Sequence, residues 1–232
     1  MAGTYQAGYR TKSEILQGSK KLFYKKGYTD TTYNDISELL NINRALIPYH
    51  FKSKQSLALY VYREIIDYVT SKADELLDTA SLSDDLAAAF HIIVFYRLFS
   101  NKQFTNLVCE LMNENPEILM DEQTEKNILQ HLSDSYSNND KTIDLLAASM
   151  TAIRFSLINK IKDNNYSTDL ATGKKNIKQS SDIYARIYIN YALRYVGASD
   201  KTIDELFNAA TQLANLIEID IRSEYKIFVS YR

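Results

Sequence analysis

Prolines and glycines are scarce, two and six in 232 residues. Long stretches therefore run free of helix breakers, which favours helices over a sandwich or barrel with its frequent turn residues. The single cysteine, Cys109, excludes an internal disulfide framework and suits a reducing compartment. No apolar run approaches the roughly 18 residues that a membrane span needs. The first ten residues also lack the apolar core of a signal peptide, so the expected location is the cytoplasm, with no membrane partner. A Gly-rich phosphate loop, a nucleophile elbow and a metal motif are missing too. His91, His131 and Cys109 show no short ligand spacing, so no metal, no cofactor and no enzymatic activity are expected.

What is present is ordinary for a globular chain: 45% hydrophobic and 24% charged residues, enough for one large or two modest domains. The formal charge of -2 hides an asymmetry. Residues 1–57 hold nine Lys/Arg against four Asp/Glu, a net of +5, and the remainder carries -7. A basic segment on an acidic body directs the N-terminal part toward a polyanion.

Apolar periodicity predicts a first helix over 11–27, with Gly27 as its stop. A second is predicted near 32–40, with Ile36, Leu39 and Leu40 inward and capping side chains in Thr29 to Thr32. Asn41 suits the left-handed turn that follows, and Asn43 can cap a short third helix reaching His50. Ser53 can cap a long fourth helix over 54–79, with Leu57, Val61, Ile65, Tyr68 and Leu76 inward. The stretch Leu86 to Phe99 is apolar nearly all round, the pattern of a buried central helix. Further helices are expected over 103–114, 117–134 (Pro116 suiting its first turn), 140–162, 181–196 and 200–221, with a polar break at 163–180 and no strand pair. Three short helices followed by a long one, two of them joined by a tight turn, can place the third in a DNA major groove.

Ile15-Leu16, Leu22-Phe23, Gly27-Tyr28, Thr31, Asp35-Ile36, Ile42, Ile47, Phe51, Ser53-Lys54 and Leu57 carry a spacing that resembles the TetR family of transcriptional regulators. The resemblance implies an all-α fold with a helix-turn-helix DNA-binding domain over 1–53 and a ligand-sensing and dimerisation domain over 54–232. It implies a homodimer that binds a double-stranded DNA operator and is released by a small-molecule effector of unidentified chemistry. Ile15, Phe23, Ile36, Leu39, Ile42 and Ile47 can form the small core. Thr31 or Thr32 can cap a helix and meet a phosphate, and Lys54 stands where the family has a phosphate-contacting lysine. Asn43, Arg44, Ala45, Leu46, Tyr49 and His50 are the base-reading candidates; Arg44 either forks to a guanine edge or touches the backbone.

Four positions depart from the family pattern: Asn41 replaces the turn glycine, Ala45-Leu46 the small pair, and Pro48 a phosphate-touching tyrosine. Pro48 removes the hydrogen bond from residue 48 to the Arg44 carbonyl, which predicts a kinked or shortened recognition helix. Tyr49 is placed to take over the tyrosine's role. A second function therefore stays open, a helix-turn-helix protein without operator binding that acts as a ligand-responsive co-activator or protein partner.

In the sensor half, Arg97 and Arg154 interrupt apolar helix and must be paired. Their partners are either internal acids such as Glu110, Glu114 or Asp144, or a carboxylate or phosphate on the effector. Phe90, Phe95, Tyr96, Phe99, Phe104, Val108 and Met112 offer apolar surface for an effector cavity beside them. Tyr184, Tyr188, Tyr191 and Tyr195 form a stripe on one helix, and Phe207, Leu213 and Ile217 belong to another on the next. Both are expected at the dimer interface, as parts of a four-helix bundle, or alternatively packed within one subunit.

Overall fold

The computed structural model describes residues 2–115, 122–133, 140–166 and 177–232. Among the described residues ten α-helices follow in order: α1 (Ala2–Lys26), α2 (Tyr33–Leu40), α3 (Leu46–Phe51), α4 (Lys54–Leu77), α5 (Asp84–Leu98), α6 (Lys102–Glu114), α7 (Glu122–Ser133), α8 (Asp140–Tyr166), α9 (Ile177–Tyr195) and α10 (Asp200–Ala214). The expected helix start at 117–121, with Pro116, and the centre of the expected break at 163–180 lie outside the described residues; α8 runs through 163–166.

The helix ends follow from local chemistry. Gly27 sits at φ +90° after α1, where Lys25 and Lys26 oppose the helix dipole. Thr32 and Asp35 form a reciprocal capping box on α2, and Asn41 closes that helix at φ 50°. The Ser53 hydroxyl accepts from the Ser56 N–H at the start of α4. Helix α5 is central: Ala88 to Val94 are buried except His91, and it packs on α7, α9 and α10.

Two expectations about side-chain direction fail. Leu39 is 41% exposed and Tyr68 42% exposed, whereas Ile15, Ile36, Ile47 and Ile65 are fully buried. In each case other residues already fill the inward face, Ile36 one turn before Leu39, and Ile65 one turn before Tyr68 together with the adjacent Val69.

The larger correction concerns 217–231. The predicted helix over 200–221 stops at Ala214, and Ile217–Ile221 pairs antiparallel with Ile227–Tyr231 as strands β1 and β2. Isoleucines at 217, 219 and 221 satisfy a period of two as well as the i, i+4 spacing of a helix, and β-branched residues favour the strand. Ile217, Ile219, Ile221, Ile227 and Val229 share the inner face, and Glu218, Asp220 and Phe228 point outward. This hairpin lies along α4, and its turn packs on α1, with Tyr225 edge-on to Tyr24 and its hydroxyl donating to the Gln103 carbonyl at 3.1 Å. Sequence-distant segments thus cross the expected domain division at residue 53.

Candidate nucleic-acid interface and ligand cavity

Helices α2 and α3 form a helix-turn-helix on the support of α1 and α4. Asn43 opens the second element, its Oδ1 accepting from the Ala45 N–H at 2.9 Å. The N–H of Leu46 donates to the Asn43 carbonyl and that of Ile47 to the Arg44 carbonyl, both one residue tighter than α-helical bonding. Pro48 has no N–H for the Arg44 carbonyl, so the Ile47 bond at 3.2 Å fills the gap. The result is a six-residue α3 rather than a kinked long one.

The expected DNA-facing residues separate into two groups. Thr32, Asn43, Arg44, Ala45 and Tyr49 are exposed, Tyr49 at 79%, and Leu46 and His50 are half-buried. Thr31 is a correction: it is fully buried and its hydroxyl donates to the Gly27 carbonyl at 2.6 Å, so its side chain cannot reach a phosphate. Lys54 is also engaged. Its ammonium donates to the carbonyls of Tyr28 (3.0 Å), Thr29 (3.2 Å) and Thr31 (3.0 Å), which uses its three donors, and lies 4.4 Å from the Tyr28 ring centre. It clamps the loop that precedes α2.

That loop has a second anchor. The Thr29 N–H donates to Glu110 Oε2 at 2.7 Å, and the Tyr28 hydroxyl donates to Glu114, both on α6. Burial and the Glu114 carboxylate push the Tyr28 phenol well above its usual range. A side chain at Gly27 would need a left-handed backbone and would meet Glu110 at 3.1 Å. Glu110 and Glu114 thus hold the helix-turn-helix and are not the partners of the buried arginines. Sequence periodicity carried no sign of this, because both acids sit at ordinary polar positions of α6.

A cavity of about 680 Å³ opens between α4, α5, α7 and α8. Leu59, Tyr62 and Ile66 of α4 line one wall, Ile92 and Phe95 of α5 another, and Glu125 and Arg154 its polar part. Burial pushes the Tyr62 phenol up to about 12. Of the expected effector residues, Phe95 and Arg154 line it. Phe90, Phe104, Val108 and Met112 are 0–1% exposed core residues, Phe104 stacking on Tyr62 at 6.2 Å from behind the wall. Arg97 lies elsewhere, forked to Asp182 by two bonds of 2.8 Å and donating to the Ala214 carbonyl and Asn215. Both arginines have internal acids, as one alternative held, but the acids are Glu125 and Asp182. His91 and His131 stand in the lining, 2.7 Å from Asp74 and 3.9 Å from Asp84.

With this geometry in place, residues 15–61 match the family model described as bacterial regulatory proteins, tetR family. The chain is thus similar to the TetR family over the stretch that holds its helix-turn-helix. It is 24% identical over 132 residues to the probable HTH-type transcriptional regulator ArpR of Pseudomonas putida, covering 51% of this chain and 63% of that protein. It is 37% identical over 60 residues to IcaR, the negative transcriptional regulator of the biofilm operon icaADBC in Staphylococcus aureus, covering 26% and 32%. The chain thus spans less than two thirds of the curated relatives it matches. Its fold is shared with the crystal structure of RolR in complex with resorcinol, at a TM-score of 0.61 and 18% identity, over 90% of this chain and 96% of that one.

Against the TetR-family plan, the expected dimer stripes divide. Tyr188 is fully buried, its hydroxyl bonded to Glu125 and Arg154, and Tyr184 and Phe207 are 7% and 8% exposed. Ile217 is buried in β1. These four are corrections, since core packing within the subunit leaves them almost no surface to share. Leu213 is half-buried, while Tyr191 and Tyr195 remain 58% and 51% exposed. Ile183 (56%) on α9 is exposed as well, as are Leu145 (66%), Ala148 and Ala152 on α8, which packs on α9. The outer face of α10 is polar, with Lys201, Asp204, Glu205 and Asn208 exposed.

Proposed function

We propose that the chain is a homodimeric transcriptional repressor that binds double-stranded operator DNA and is released by a small molecule entering the cavity. One observation carries the reading: helix α4 belongs to both sites. Its first residue, Lys54, clamps the loop before the helix-turn-helix, and Leu59, Tyr62 and Ile66 further along form a cavity wall. A ligand that displaces this wall displaces the support of α2 and α3. Exposed Asn43, Arg44, Ala45 and Tyr49 present the groove-facing surface. The exposed apolar residues of α8 and α9 supply a two-fold interface, so that two recognition helices meet successive major grooves about 34 Å apart. A gel shift against the DNA upstream of the chain's own gene, at two salt concentrations, tests the reading. Retardation that weakens with salt and persists over competitor DNA is the expected result.

The six-residue α3 and the engaged Lys54 favour a second reading, a ligand-responsive partner of other proteins that does not bind an operator. Equal, weak retardation of upstream and random DNA selects it.

A further inference from the structure

The chemistry of the cavity narrows its ligand, given the reading above that the cavity is the effector site. Among the described lining residues two charged groups are largely withdrawn from water, Glu125 at 3% side-chain exposure and Arg154 at 12%. Arg154 Nε lies 2.6 Å from Glu125 Oε1, and Arg154 Nη2 donates to the Tyr188 hydroxyl at 3.0 Å. That hydroxyl in turn donates to the second Glu125 oxygen. The Phe95 and Tyr188 ring centres stand 5.0 and 4.9 Å from the guanidinium carbon. The group best shaped to receive a carboxylate or phosphate is therefore already held by the chain's own carboxylate and flanked by rings.

Each charge type then meets a different obstacle. An anion must displace Glu125 and leave a buried carboxylate without its counter-charge. A cation meets a carboxylate that Arg154 has already neutralised and gives up its hydration for little return. Arg63, Asp67 and Asp84 are exposed lining residues, where water screens them. Leu59, Ile66, Ile92 and Ile128, with the rings of Tyr62 and Phe95, offer an apolar surface. We propose that the cavity admits uncharged, ring-containing molecules, and that Glu125 sets this selection by occupying Arg154 against anions.

Three bicyclic probes of one shape test this: 2-naphthol, 2-naphthoate and 2-naphthylmethylammonium, each titrated calorimetrically into the full chain at pH 7. Naphthol is expected to bind at least about tenfold more tightly than either ion. Glu125→Gln leaves the Arg154 charge uncompensated, so naphthoate should gain at least about tenfold and overtake naphthol. If that variant fails to fold, the double variant Glu125→Leu/Arg154→Met removes both charges together; it should keep naphthol and still reject naphthoate. A folded Glu125→Gln chain with unchanged naphthoate affinity removes Glu125 as the selector, as does a double variant that accepts naphthoate. Wild-type preference for either ion overturns the ligand class and leaves the cavity as the ligand site. Failure of all three probes to saturate overturns the class and the effector-site reading together.

Discussion

Arg97→Ala is the sharpest test of how the C-terminal half is held together. The side chain is 12% exposed and ties three elements: α5, which carries it; α9 through Asp182; and the end of α10 through the Ala214 carbonyl and Asn215. Truncation removes four hydrogen bonds and leaves Asp182, 21% exposed, without its partner. Breaking a largely buried pair of this kind costs about 3–5 kcal/mol, because the remaining charge keeps its desolvation penalty. For a chain of this size that is on the order of a 10 °C fall in melting temperature. Arg186→Ala is the matched control: its 2.5 Å bridge to Asp204 is 47% and 53% exposed, and such a pair contributes under about 1 kcal/mol. Urea denaturation of the two variants reads both values. A loss below about 1 kcal/mol for Arg97→Ala would refute the assignment of Arg97 as a structural tie and return it to the candidates for ligand contact.

Lys54→Ala should lower the melting temperature, because three loop carbonyls lose their donor, and leave the salt dependence of DNA binding unchanged; a slope reduced by about one charge would establish a phosphate contact instead. Pro48→Tyr should change stability by less than about 1 kcal/mol, since the Arg44 carbonyl already accepts from Ile47, and a larger gain in denaturant titration would show that the tightened first turn is strained. Tyr191→Glu combined with Tyr195→Glu should give a monomer in sedimentation at micromolar concentration, whereas Gln212→Glu on the exposed face of α10 should leave the dimer intact. Burial pushes the Cys109 thiol from 9.0 up to about 11, so the unfolded chain releases that proton first and stability falls as pH rises from about 9 to 11, by about 3 kcal/mol from this group. Cys109→Ala should flatten that part of the alkaline stability profile, and an unchanged profile would assign the loss to other groups.

The sequence was most legible where local chemistry and periodicity agree. Asn41 in its left-handed turn, Thr32 and Ser53 as caps, and Ile15, Ile36 and Ile47 as core each follow from a few adjacent residues. Legibility ended where two periods coincide or where partners are distant. Ile217 and Ile221 suit a helix by spacing, and only the alternating Ile219 with the complementary run Ile227 to Tyr231 makes them strand. Arg154 was recognisable as needing a partner, but Glu125 is 29 positions earlier on α7, among residues that otherwise read as a solvated face. The tyrosine stripe of α9 failed for a related reason. Residues at i, i+4, i+7 and i+11 share one face of a helix, but Tyr184 and Tyr188 are buried while Tyr191 and Tyr195, in the last turns of α9, are exposed, a division along the axis that periodicity does not encode.

The position of the cavity also constrains how a signal leaves it. Tyr62 is eight residues beyond Lys54, about 12 Å along a straight helix, so a displaced wall is felt at the head of α4. The helix-turn-helix does not hang from α4 alone, however. Glu110 and Glu114 hold residues 28 and 29 from α6, and the β1–β2 hairpin holds α1 through its turn. Hydrogen bonds to charged groups contribute about 1.5–3 kcal/mol each. An effector that shifts operator affinity tenfold needs a differential preference of only about 1.4 kcal/mol. It is therefore less costly for α4 to carry α1, α6 and the hairpin with it than to swing free of them. Under the proposed function, the spacing between two recognition helices changes when this whole unit rotates against α5, α7 and the α8–α9 face. A pendulum motion of α4 past its neighbours would first have to break both carboxylate anchors.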